Sequence, residues 1–148
     1  AATWLDLHPA NATQSEARAT DGAQQGGAAE IGGVWKASLW TGSGATWVNL
    51  APVGTLSSWV NGVSDGTQVG WVELAGATAP YRASLWSGTP ESWVSLHPAG
   101  ATSSQAHGAH AGQQVGELLA VENHAHEDAV HEGLQGGDGQ PVLAGDGG

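Results

Sequence analysis

The sequence contains no cysteine, methionine or phenylalanine, and its 148 residues hold three basic side chains against fourteen acidic ones. Without cysteine there are no disulfide staples and no thiolate metal sites, and the redox compartment stays open. A net charge of −11 repels phosphate backbones and anionic lipid surfaces, so nucleic acid is excluded as a partner. No apolar run approaches the ~18 residues of a membrane-spanning helix, and membrane insertion is not expected. No Met and no basic, apolar leader stands before Ala1-Ala2-Thr3-Trp4; the expectation is a processed form or a piece of something longer. Scarce Lys beside abundant Gly, Ser, Thr and Trp favours a secreted or cell-surface bacterial protein.

What is present is a repeat. Ala37-Ser38-Leu39-Trp40-Thr41-Gly42 returns 46 residues on as Ala83-Ser84-Leu85-Trp86-Ser87-Gly88, and Trp47-Val48-Asn49-Leu50 returns as Trp93-Val94-Ser95-Leu96. A fixed period of this size marks one supersecondary unit copied in tandem. The units run about 4–46, 47–92 and 93–140 within a single repeat domain, and 141–148 is a Gly-rich tail. Two further signatures recur: Thr13-Gln14-Ser15, Leu56-Ser57-Ser58 and Thr102-Ser103-Ser104, then Gly22 to Gly26, Gly66 to Gly70 and Gly112 to Gly116. Asp21-Gly22 and Asp65-Gly66 carry the residues of a type I′ hairpin turn.

The middle unit shows the strands best. Trp47-Val48-Asn49-Leu50, then Ser58 to Val63, then Gln68 to Leu74, then Tyr81 to Trp86 are short apolar or alternating runs separated by Pro and Gly. Four strands in about 45 residues is the make-up of a β-propeller blade. The fold expected is all-β, three tandem four-stranded units resembling propeller blades, with a β-trefoil or β-prism as the alternative. In the third unit the Trp is lost: aligned on Gly116, His126 to Gly133 falls where Tyr81 to Gly88 stood, and His131 replaces Trp86. Pro141-Val142-Leu143 echoes Trp93 to Leu96.

With Ala37 to Gly42, Ala83 to Gly88, Trp93-Val94-Ser95-Leu96-His97-Pro98 and Gln113-Gln114-Val115-Gly116, the chain resembles a family of bacterial secreted or cell-surface tandem-repeat proteins. That resemblance implies a propeller-like fold; members mostly have unassigned functions, so it implies no catalytic residues. Propellers have 4 to 8 blades, and three units leave either a fragment, a ring pooled from several chains, or another threefold fold.

Eight Trp, all within the first 93 residues, raise the question of glycan stacking. Trp40, Trp86, Trp47 and Trp93 recur in register and read as packing. Trp35, Trp59 and Trp71 do not recur and are the candidate ligand contacts, with Arg18 and Arg82 as donors and Asp65 as an acceptor. His124, His126 and His131, interleaved with carboxylates, are the candidate metal ligands, although no His-Glu-x-x-His motif supports them. No Gly-x-Ser-x-Gly elbow occurs. Carboxylates such as Glu73, Asp65 and Glu91 form no pair that sequence can place. The function expected is non-catalytic and extracellular: a structural, assembly-forming or ligand-binding scaffold that self-associates. The alternative is a multivalent lectin for glycans, and less so a glycan-active enzyme. No cofactor is expected.

Overall fold

A computed structural model describes residues 3–120, 133–135 and 142–143. The chain is all-β at the level the repeat indicated, and its strands form three four-stranded antiparallel sheets, each in strict sequence order. The first holds β1 (Gln14–Thr20), β2 (Gln25–Ile31), β3 (Val34–Trp40) and β4 (Val48–Asn49). The second holds β5 (Thr55–Ser64), β6 (Thr67–Leu74), β7 (Tyr81–Trp86) and β8 (Val94–Ser95). The third holds β9 (Ala101–His110), β10 (Gln113–Ala120), β11 (Gly133–Gln135) and β12 (Val142–Leu143). The sheets are not hydrogen-bonded into one barrel. Among the described residues, no helix is long and apolar enough to cross a membrane.

Sequence units and sheets are out of step by one strand. Val48 pairs with Leu39 and Val94 with Leu85, so the Trp-Val-x-Leu run that opens each unit closes the sheet before it. The indole completes the join. Trp47 Nε1 donates to Ser38 Oγ at 2.8 Å, and Trp93 Nε1 to Ser84 Oγ at 2.9 Å.

The core lies between sheets. Leu39 and Leu50 meet Val60, Val63, Val72 and Trp86 across the first seam. Val69, Ala83, Leu96 and Ala106 fill the second. Trp40 and Trp86 are wholly buried, as their recurrence indicated. Each seam is pinned at the same place by a buried hydrogen bond between sheets: Ala37 N–H donates to Ser58 Oγ and Ala83 N–H to Ser104 Oγ, both at 2.9 Å. The physical need is plain. β4 and β8 are two residues long, so these amides on the outer side of β3 and β7 lack a strand partner, and a buried N–H must find one.

Two register expectations are corrected. Asp65 and Gly66 both have positive φ, as a type I′ turn requires, but the first sheet turns through residues 21–24, with only Gly22 left-handed. The Asp21 carboxylate takes over there, accepting from the Ala23 and Gln24 amides at 2.9 and 2.8 Å. Gln25, not Gln24, is therefore the counterpart of Gln68: each accepts from a glycine amide, Gly42 and Gly88, at 2.8 Å. In the third sheet Leu134 pairs with Gln114 as Trp86 pairs with Gln68. Leu134, rather than His131, thus takes the Trp position. The connection following β10 is longer than residues 75–80 after β6, which moved the register. Val142 and Leu143 do form the fourth strand.

Candidate functional site

The first strand of every sheet carries a β-bulge at the same place. Ala17 pairs with Gly27 and Ala19 with Gly26; Val60 with Gly70 and Gly62 with Val69; Ala106 with Gly116 and Gly108 with Val115. Arg18, Asn61 and His107 are the residues left over. A bulge kinks its strand and re-aims the extra side chain. Glycine is obligatory opposite: a Cβ at Gly27 or Gly70 would lie 1.9 Å from the carbonyl oxygen of Glu16 or Trp59.

The re-aimed side chains link neighbouring sheets. Arg18 Nη1 donates to Asn61 Oδ1 at 3.0 Å, and Asn61 Nδ2 donates to the Ala106 carbonyl at 3.0 Å. His107 Nε2 lies 3.6 Å from a Glu117 carboxylate oxygen. Arg18 also donates through Nε to Glu16 at 2.9 Å, an exposed pair that adds little stability.

Beside this ladder stand the non-recurring Trp residues. The Arg18 guanidinium lies 3.7 Å over the Trp59 ring, and Trp35 stacks on Trp59 with centroids 4.7 Å apart. Trp71 faces Trp59 across β5 and β6 and meets Tyr81 edge-on at 5.6 Å. Four of the six candidates, Trp35, Trp59, Trp71 and Arg18, therefore come together. Arg18 and Trp35 both lie against the Trp59 ring, and Trp59 is half-buried.

The other two candidates lie apart. Arg82 Nε donates to the Ala79 carbonyl at 2.9 Å and ties down its own loop. Asp65 is in the β5–β6 turn, six residues on from Trp59, which is about 20 Å of extended chain. There its amide donates to Asp21 Oδ2 at 2.9 Å. The Gln24 and Ala23 amides, with that of Asp65, hold the Asp21 carboxyl below its ordinary pKa.

A Ser–His geometry absent from the sequence expectations also occurs, twice. His97 Nδ1 lies 2.6 Å from Ser104 Oγ and its Nε2 3.0 Å from the Ala101 carbonyl. His8 makes the same contacts to Ser15 and Ala12, at 2.8 and 3.0 Å. A carbonyl only accepts, so Nε2 carries the proton and Nδ1 accepts from the serine hydroxyl. Ser104 in turn accepts the Ala83 amide and is buried. At His97 the serine ties two sheets together, and burial lowers the His97 pKa, with the Arg82 charge acting in the same direction. The arrangement serves there as a structural clamp.

Among the described residues no three His, Asp or Glu side chains converge on a point that would hold a metal ion. His124, His126 and His131 lie outside the described residues. Sequence reading missed Asn61 and Tyr81, and placed His107 only among the histidines of the third unit. The available signal was the glycine of each Gln-x-Gly, which marks the partner of a bulge. No family model matches the chain, and no curated protein and no solved structure matches it.

Proposed function

We propose that the chain is a non-catalytic, extracellular repeat module whose three sheets are propeller-type blades and whose work is to build an assembly. The observation that carries this reading is the seam. The same serine receives the same alanine amide at both junctions, and Ser15 holds the matching place in the first sheet. The polar chemistry a catalytic site would need is spent on the same task. Ser38, Ser84, Ser104, His97 and Gln68 each bridge strands or turns. Light scattering over a range of chain concentrations, with Trp fluorescence followed against a glycan panel, tests the reading. Particle mass is expected to rise with concentration while glycans leave the fluorescence unmoved; a fixed single-chain mass overturns it.

A lectin is the second reading, favoured by one feature. Tyr81 is exposed beside half-buried Trp71, and the Arg18 guanidinium has donors left after Glu16 and Asn61. A saturable fluorescence change with one glycan, lost in Tyr81→Ala, would support it.

A further inference from the structure

The two seams treat their aromatic residues differently. In the first, the chain supplies its own cation. The Arg18 guanidinium lies 3.7 Å over the Trp59 ring, Trp59 stacks on Trp35, and Arg18 Nε donates to Glu16 Oε1 at 2.9 Å. A planar cation on an aromatic face, with a carboxylate taking its N–H groups, is a complete guanidinium site.

The second seam has the rings and the carboxylate without the cation. Aligned on Ala37 and Ala83, Tyr81 stands where Trp35 stands and Glu73 where Glu30 stands, each pair being cross-strand partners. Trp71, Glu73 and Tyr81 share one face of the second sheet, since Trp71 and Glu73 alternate with Val72 and Glu73 pairs with Tyr81. On the same face Val69 and Ala83 pack with Ala106 of the third sheet. The Trp71 and Tyr81 rings meet at 71° with centroids 5.6 Å apart, which makes a corner. It is open: Tyr81 is 38% exposed, and Trp71 and Glu73 are half-buried.

Nothing basic fills this corner from within. The counterpart of Arg18 is Asn61, uncharged and already bonded to Arg18 and the Ala106 carbonyl. Arg82 alternates to the opposite face of β7, and its Nε donates to the Ala79 carbonyl. Glu73 accepts from Ser57 Oγ at 2.7 Å and has no ion-pair partner among the described residues. The fold does not demand the indole either. The place of Trp71 is taken by Ala28 in the first sheet and by exposed Glu117 in the third.

We propose that the Trp71–Tyr81–Glu73 corner binds the guanidinium of an arginine side chain on a partner polypeptide. The cation stacks on the exposed ring, and its N–H groups donate to the Glu73 lone pairs that Ser57 leaves free, repeating Arg18 on Trp59 and Glu16. The net charge of −11 draws such a partner in. This inference does not depend on the assembly reading, and it gives to a cation the corner that a lectin would give to a sugar.

The test is an NMR titration of the indole N–H resonances with the blocked peptide acetyl-Gly-Arg-Gly-amide. The Trp71 signal is the one missing from Trp71→Phe. Lysine and glutamine versions of the peptide and a neutral glucose oligosaccharide serve as comparisons. Expected is a saturable shift of the Trp71 signal with the arginine peptide, weaker with lysine, absent with glutamine, and reduced by salt. Glu73→Gln and Tyr81→Ala, both checked for folding by far-UV circular dichroism, should each weaken binding about fivefold. No shift with the arginine peptide, an equal shift with glutamine, or unchanged affinity in Glu73→Gln overturns the proposal. Equal binding of the lysine peptide overturns the guanidinium assignment. A saturable shift with the oligosaccharide and none with arginine overturns the proposal in favour of the lectin reading.

Discussion

Replacing the three equivalent serines with alanine, one at a time, measures the seam directly. Ser58 accepts the Ala37 amide at 2.9 Å in a site where both residues are fully buried. Ser58→Ala leaves that N–H without a partner, a loss of about 1–3 kcal/mol. Ser104→Ala strands two groups, the Ala83 amide and the His97 Nδ1 lone pair, so its loss is larger, about 2–4 kcal/mol. Ser15 bonds only the exposed His8 ring, and Ser15→Ala should fall within about 0.5 kcal/mol of the unaltered chain. Urea unfolding, followed by Trp fluorescence at concentrations where the particle is a single chain, reads all three. With a slope of about 2 kcal/mol per molar urea, Ser58→Ala lowers the midpoint by roughly 1 M and Ser15→Ala hardly moves it. A Ser15→Ala loss equal to that of Ser104→Ala, or a Ser58→Ala midpoint equal to the parent's, would refute the seam argument.

Other perturbations have equally definite signs. Gly70→Ala drives a Cβ into the Trp59 carbonyl, where backbone must move, and should destabilise by about 3 kcal/mol or more in the same assay. Gln68→Leu removes the acceptor of the Gly88 amide and the donor to the Gly66 and Gln24 oxygens, for a loss of about 2–4 kcal/mol. Ala111 holds a φ of 51° beside Gly112, so Ala111→Gly should raise the thermal midpoint by relieving roughly 1 kcal/mol of left-handed strain. Burial holds the His97 pKa below the ordinary histidine value of about 6.5. The unfolded chain therefore binds a proton more readily, and the neutral ring's stabilisation is full above about 6.5 and lost as pH falls toward its folded pKa. Urea midpoints should drop between neutral and mildly acidic pH, and His97→Gln should flatten that part of the profile.

Strand content was legible because apolar runs and turn residues alternate along the middle unit; Gln68 to Leu74 and Tyr81 to Trp86 lie within or coincide with real strands. Which sheet a strand joins was not legible. Trp47 to Leu50 reads as the start of a unit, and only hydrogen bonding to β3 reveals it as the end of a sheet. The Asp-Gly rule succeeded at Asp65, where two left-handed residues suffice, and failed at Asp21, where a carboxylate caps a longer turn. Of the candidate site, the unrepeated Trp residues did gather, because the bulge at Arg18 turns the guanidinium onto Trp59. Bulges leave almost no trace in composition. Arg18, Asn61 and His107 share neither charge nor size, and only their position opposite a Gln-x-Gly glycine unites them.

The one-strand offset between unit and sheet has an energetic consequence. Each unit donates its first strand to its predecessor and lays its second strand across that same sheet, so neighbours are joined twice. Separating the first two sequence units would free β4 from β3, strip Trp47 from Ser38, break the Ala37–Ser58 bond and expose Val60 and Val72 together. In an array held by nearest-neighbour interfaces, such coupling favours unfolding as one unit over fraying sheet by sheet.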